Sequence, residues 1–286
     1  MNLFQLAGLY EYISCISLST PTQTLHRVEN PVSLSIISMK TYLTLFVASL
    51  GFASVSFANQ PHRGLPTYEV TASANEAEAL KWVYTYYQNP RPAEFARNVH
   101  LLSQAGYFEQ AGQPAQAIGF FSQVFAQNAE LVNFWMAETR SLPEKHQRIL
   151  ASALWLSGNP RGEAIIRRQM TGVSEAVRTD LAALLEKKPA AVATSPVDSP
   201  TAMDLQWGAF LATGSELHIT NILASLGSGQ RGIAESARLS LALNAAEHPR
   251  VLEICRAQLD KQPNEVRLLL KAAINDAQPA ARQPSS

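Results

Sequence analysis

From Glu76 onward the chain repeats its apolar residues at three- and four-residue spacings, and this periodicity constrains the fold more than any other feature. Apolar residues at i, i+3, i+4 and i+7 form one buried stripe on an α-helix, whereas a half-buried strand alternates with a period of two. Phe95, Val99, Leu102 and Gly106 share a face over 93–109, and Ala117, Ile118, Phe121, Val124 and Phe125 share the next. Met203, Trp207, Phe210, Leu211 and Gly214 make a third stripe, and Ile219, Ile222, Leu223 and Leu226 a fourth. Val251, Ile254, Cys255 and Leu259 follow, then Val266, Leu269, Leu270, Ala273 and Ile274. Only Trp82-Val83-Tyr84-Thr85-Tyr86-Tyr87 has strand-like content, and its flanks read as helix and turn. The expected fold class is all-α, an α-α superhelix of helical hairpins.

The punctuation supports hairpins. Ser141-Leu142-Pro143-Glu144 reads as a capping box, with a cap serine and a glutamate three residues later. Asn159-Pro160 reads as a cap followed by a first-turn proline, and Gly214-Ser215 as a helix stop followed by a cap. His248-Pro249 and Gln262-Pro263-Asn264 break the last region into three helices. Residues 187–202 contain three prolines and no apolar period, so they form a loop or linker. They separate a first helical block, 76–186, from a second, 203–277. The tail 278–286 reads as disordered, and 59–75 as irregular.

Near the N-terminus, Met39-Lys40 precedes the apolar run Tyr42–Phe52 and a small-residue close ending Ser56-Phe57-Ala58. A basic start, a short apolar core and a small-x-small close are the parts of a secretory signal peptide. Residues 39–58 are therefore expected to be a signal peptide cleaved after Ala58, sending the protein to the periplasm or outside the cell. Contact with the membrane would then be transient. Residues 1–38 fit this signal poorly and read either as a start-site misassignment or as a long leader. An uncleaved leader would make the protein a membrane-tethered scaffold.

Charge narrows the partners. Lysine plus arginine is 23 and aspartate plus glutamate is 23, so nucleic acid is not an expected ligand. The chain has two cysteines, Cys15 and Cys255. They cannot supply a tetrahedral cysteine zinc site, and Cys255 sits on an apolar helix face as an inert thiol. Gly227-Ser228-Gly229-Gln230-Arg231-Gly232 matches G-x-G-x-x-G, but a helix precedes it instead of a strand, so it reads as a turn. His100, His146, His218 and His248 lack metal-ligand spacing and are expected at the surface or at caps. Glu76 and Glu78 read as a charged helix start, and Arg161, Arg167 and Arg168 as a solvated face. No cofactor, metal site or catalytic constellation is expected. Glu109 and Glu138 come nearest to a catalytic acid.

Phe108, Gly112, Ala117 and Phe121 lie in Tyr-Phe-Glu-Gln-Ala-Gly-Gln-Pro-Ala-Gln-Ala-Ile-Gly-Phe-Phe, which resembles one tetratricopeptide repeat. That motif sets an aromatic in helix A, a turn glycine, then a small residue and an aromatic in helix B. Gln104 stands where leucine is usual. Trp207, Phe210 and Gly214 resemble a second, degenerate copy, and that segment is also similar to uncharacterised exported bacterial helical proteins. The turn glycines Gly112, Gly158 and Gly214 are not spaced at the repeat's 34 residues. The resemblance implies a fold and a compartment, with no activity attached.

Helical arrays bind along their surfaces through aromatic anchors. The candidate partner-binding residues are Trp82, Tyr84, Tyr86 and Tyr87, with Phe134 and Trp135 as a second group. The expected function is non-enzymatic: a scaffold for a protein or peptide in the cell envelope. The alternative is a cell-wall-acting enzyme, which would need a buried, isolated acid in a cleft.

Overall fold

In the computed structural model, which describes residues 67–277, every regular element is helical. Twelve α-helices follow one another: α1 Thr67–Thr85, α2 Phe95–Gln104, α3 Gln113–Gln127, α4 Val132–Glu138, α5 Glu144–Leu156 and α6 Gly162–Gln169. Then come α7 Glu175–Leu185, α8 Pro200–Thr213, α9 Glu216–Ala224, α10 Arg231–Glu247, α11 Pro249–Gln258 and α12 Asn264–Asp276. The all-α class read from the 3.6-residue period is thus the class of the described residues. None of these helices is long and apolar enough to cross a membrane. The signal segment 39–58, residues 1–38 and the tail 278–286 lie outside the described residues.

Several expected boundaries move, for local reasons. Helix α1 begins at Thr67, inside the stretch expected to be irregular. The helix expected over 93–109 ends at Gln104, because Gly106 adopts φ 71°, a left-handed turn suited to a residue without Cβ. Phe108, which the repeat resemblance places in helix A, therefore stands in a separate 3-10 turn, Tyr107–Glu109. The capping box is also corrected. Ser141 makes no cap bond to α5, and the Glu144 carboxylate accepts from the Ser174 N–H and hydroxyl at the start of α7. At Gly214 (φ 64°) and Ser215, whose hydroxyl caps α9, the expected stop-and-cap pair is present.

Helices α3 and α8 form the centre. Each is buried nearly all round, not along one stripe: Ala115, Gly119 and Phe120 are as enclosed as Ile118 and Phe121, and Leu205, Gly208 and Ala209 as enclosed as Trp207. The two helices almost touch. A Cβ added at Gly119 would stand 2.0 Å from the Leu205 carbonyl oxygen, and one at Gly208 would stand 1.9 Å from that of Gln116. Only hydrogen fits there, which lets each glycine's α-hydrogen face the other helix's carbonyl. From this pair α5 and then α7 pack outward beyond α3, while α10 and then α12 pack beyond α8. The connection 187–199 is a packed strap. Val192 and Val197 are buried, Gln206 donates to the Val192 (2.7 Å) and Ser195 (3.0 Å) carbonyls, and Trp155 donates to that of Lys187.

The arrangement is an internal duplication. Adding 89 to a position in the first half reaches its counterpart in the second, as 208 is reached from 119. At this spacing Gly119, Phe121, Pro160, Arg161, Ile165, Arg167 and Gln169 meet Gly208, Phe210, Pro249, Arg250, Ile254, Arg256 and Gln258. Val177, Arg178 and Leu181 meet Val266, Arg267 and Leu270. Elements follow suit. Helix α6 ends at Gln169 and runs into the 3-10 turn Met170–Gly172, as α11 ends at Gln258 and runs into Leu259–Lys261. Individual bonds repeat as well. Arg178 donates to the Val173 carbonyl, and Arg267 to that of Gln262.

Candidate functional site

The six aromatic residues expected to bind a partner divide by burial. Trp82 and Tyr86 are 1% exposed and Trp135 is 2% exposed. They belong to the core, where Trp82 meets Tyr86, Phe95 and Phe120 edge-on and Trp135 stacks on Phe95 at 4.5 Å. As surface anchors these three are corrected: no partner reaches them in this fold. Tyr84 and Tyr87 are half-buried, and Phe134 is 59% exposed on α4. Asn133, beside it, accepts a hydrogen bond from Arg168. The residues quoted for the repeat, Phe108, Ala117, Phe121, Trp207 and Phe210, are also core.

His248 stands at a cap as expected, between α10 and α11, whereas His146 and His218 are corrected, since they lie buried inside helices. His146, His218 and His248 are 2%, 3% and 5% exposed, because each sits where a helix begins against the interior. Burial lowers all three pKa values, that of His218 to about 4. His146 joins a hydrogen-bonded chain. Its Nδ1 meets the Ser103 hydroxyl at 2.8 Å, its Nε2 meets Glu109 Oε1 at 2.8 Å, and Lys145 pairs with the same carboxylate. Partial burial works to raise Glu109, but Lys145 and His146 together hold it below its ordinary value. Serine, histidine and acid in series match the parts of a nucleophilic triad. Ser103, however, stands in the last turn of α2, where free carbonyls point outward and would oppose an oxyanion. The chain is better suited to satisfying a buried histidine than to acyl transfer.

The group that sequence reasoning missed is Asp204. It projects from the first turns of α8 toward the N-terminus of α3, where a Cβ on Gly112 would lie 2.9 Å from its Oδ2. It keeps some exposed surface, yet protein atoms crowd it from nearly every side. Burial pushes its carboxyl up to about 7. Beside it, Tyr107 is buried and feels both Asp204 and Tyr84. Burial drives the Tyr107 phenol well above its ordinary value and that of Tyr84 up to about 12. Tyr84 in turn feels Glu247, the last residue of α10, which burial also raises. His248 packs against Tyr84, Tyr87 and Phe210, and its Nε2 has no hydrogen-bond partner. An acid inside the apolar run Met203–Ala212 was the available sequence signal.

Among the described residues no group of three histidines, cysteines or carboxylates could hold a metal ion. Cys255 is buried, and burial drives its thiol up to about 12, so it stays protonated and unreactive. No family model, curated protein or solved structure matches this chain.

Proposed function

We propose that the chain is an exported scaffold of tetratricopeptide-like helical hairpins that binds a protein or peptide in the bacterial cell envelope. The observation that carries this reading is Phe134. An aromatic ring that is 59% exposed on a helix, flanked by polar Asn133, Arg168 and Glu138, has no role in the core. Rings of this kind, rimmed by polar groups, are typical interface anchors. Export rests on the signal-like segment ending at Ala58, and a leader that is retained would tether the scaffold to the membrane instead.

The test places a photo-crosslinking amino acid at Phe134 in cells, with Leu243 as a second exposed site for comparison. A discrete adduct in the envelope fraction from position 134 alone supports the reading. Equal, diffuse adducts from both positions, or none, refute it.

A second reading is a cell-wall-acting enzyme, and Asp204 favours it. A carboxyl held near neutrality by burial suits a general acid. Release of soluble fragments from peptidoglycan by the full chain, lost in Asp204→Asn, would displace the scaffold reading.

A further inference from the structure

We infer that the edge of α6 beside α4 binds an acidic peptide segment, whose carboxylates meet Arg161 and Arg168 while an apolar side chain lies on Phe134. The inference rests on the scaffold reading and names the chemistry of the partner at that same surface.

Placement is the first observation. The Asn159 side-chain amide donates to the Ala129 carbonyl at 3.4 Å, and Arg168 Nη1 donates to Asn133 Oδ1 at 3.1 Å. These two bonds lay α6 along α4 and bring Arg168 to the residue next to Phe134. Arg161, Ala164 and Arg168 follow at i, i+3 and i+7, so they share one face of α6, and all three are exposed. Seven residues of helix set the two arginines about 10 Å apart along it.

Charge is the second. Neither the Arg161 nor the Arg168 guanidinium pairs with a carboxylate among the described residues, whereas Arg167, off this face, is held by Glu163 at 2.8 Å. Glu130 and Glu138 stand one turn before and one turn after Phe134 on α4 itself, so the acidic groups of a partner are directed to the α6 side. Arg161 is the N-cap of α6, where the helix dipole opposes a cation, so it does not serve the helix. Arginine pairs strongly with carboxylates, and an exposed ring beside it anchors an apolar side chain. A membrane surface is drawn instead by clusters of about four to eight basic residues.

The third comes from the duplication. The counterparts of Arg161, Ala164 and Arg168 are Arg250, Glu253 and Ala257. In the second copy Glu253 pairs with Arg250 at 2.8 Å, and no further arginine follows on that face. The counterpart of Phe134 is Leu223, which is buried. The frame is thus built once with this face neutralised and the apolar position closed. The first copy removes the carboxylate, adds an arginine and exposes an aromatic ring beside it. The fold gains nothing from these three changes, whereas an acidic partner gains two ion pairs and a ring contact.

Fluorescence anisotropy of the full chain at low salt tests this with two labelled nonapeptides, three repeats of Asp-Ala-Leu and three of Asn-Ala-Leu. The first spaces its carboxylates about 9 Å apart when extended. Saturable binding is expected for the aspartate probe alone, weakening as salt rises. Arg168→Ala and Phe134→Ala should each weaken it by about three- to tenfold. Ala164→Glu, which installs the second copy's internal ion pair, should weaken it at least tenfold. All three positions are exposed, and circular dichroism checks that each variant keeps its helices. Equal binding of both probes, no saturation by the aspartate probe, or unchanged affinity in Ala164→Glu overturns the inference. Sedimentation with phosphatidylglycerol vesicles in place of peptide binding overturns it too. If any of these occurs while position 134 still gives a discrete envelope adduct, the scaffold reading stands with a partner that is not acidic. Loss of that adduct removes the scaffold reading and this inference together.

Discussion

Replacing Asp204 by asparagine should stabilise the ligand-free protein above neutral pH and leave it nearly unchanged in acid. In an unfolded chain an aspartate releases its proton near 3.8, whereas the folded structure holds that of Asp204 until about 7. Between those values the unfolded state binds fewer protons than the native state, so stability falls as pH rises and levels off above 7. The full difference corresponds to at most about 4 kcal/mol. Two features reduce it. Asp204 keeps some exposed surface, and the positive end of α3 favours its anion by up to about 2 kcal/mol. A net gain of about 2–3 kcal/mol at pH 8 remains for Asp204→Asn. Urea unfolding at pH 4 and pH 8, followed by circular dichroism, measures it. The variant should exceed wild type at pH 8 and match it within about 0.5 kcal/mol at pH 4. An offset of the same size and sign at both pH values would refute the idea that burial of an unpaired charge sets the effect.

Gly119→Ala should lower the melting temperature by about 6–12 °C. Its Cβ would meet the Leu205 carbonyl at 2.0 Å, and separating two rigid helices costs about 3 kcal/mol. Gly172→Ala, where nothing lies within 4 Å, should be nearly neutral, and equal losses in the two would deny the close approach. His218 titrates in the opposite sense to Asp204. Burial lowers it to about 4, so its neutral form stabilises the fold above about 6.5 and this is lost as pH falls toward 4. His218→Asn should remove up to about 3 kcal/mol of the wild type's acid sensitivity across that window, and parallel pH profiles would contradict this.

The helical class was legible because amphipathic spacing is a local property, set by each segment's own need to bury one face. The central pair was less legible for the same reason. A stripe predicts one buried face, whereas α3 and α8 are covered on all sides by elements distant in sequence. Gly119 and Gly208 carried a signal, since a glycine inside a helix is unfavourable unless a close approach needs it. The duplication escaped a search for a 34-residue repeat because its unit is a set of five helices. Its matched residues, such as Pro160 with Pro249 and Arg178 with Arg267, are scattered among solvent-facing positions that drift freely. His146 and His218 were misplaced because polarity alone sends histidine to the surface. Their burial depends on partners such as Gln206, whose Oε1 meets His218 Nδ1 at 2.8 Å. Of the candidate site, the aromatic residues Tyr84 and Tyr87 were legible and the acid was not.

The two copies separate what the frame requires from what it merely carries. Where they agree, the shared residue closes a structural task in both. Gly119 and Gly208 admit the neighbouring helix, and Arg178 and Arg267 satisfy the same turn carbonyl. Gln169 and Gln258 are equally buried at the end of a helix. Where they differ by exchanging an apolar or turn residue for a buried polar one, the frame has already shown that it stands without the exchange. Asp204 for Ala115 and His248 for Asn159 are such exchanges. His146, whose counterpart Glu235 bonds to Arg238, exchanges one polar residue for another, and its ring nitrogens are both satisfied within the protein. Asp204 differs from both: its carboxyl is crowded by protein atoms yet has no hydrogen-bond or ion-pair partner, and its counterpart Ala115 shows that the helix stands without it. That makes Asp204, more than any single exposed side chain, the first position at which to perturb this protein.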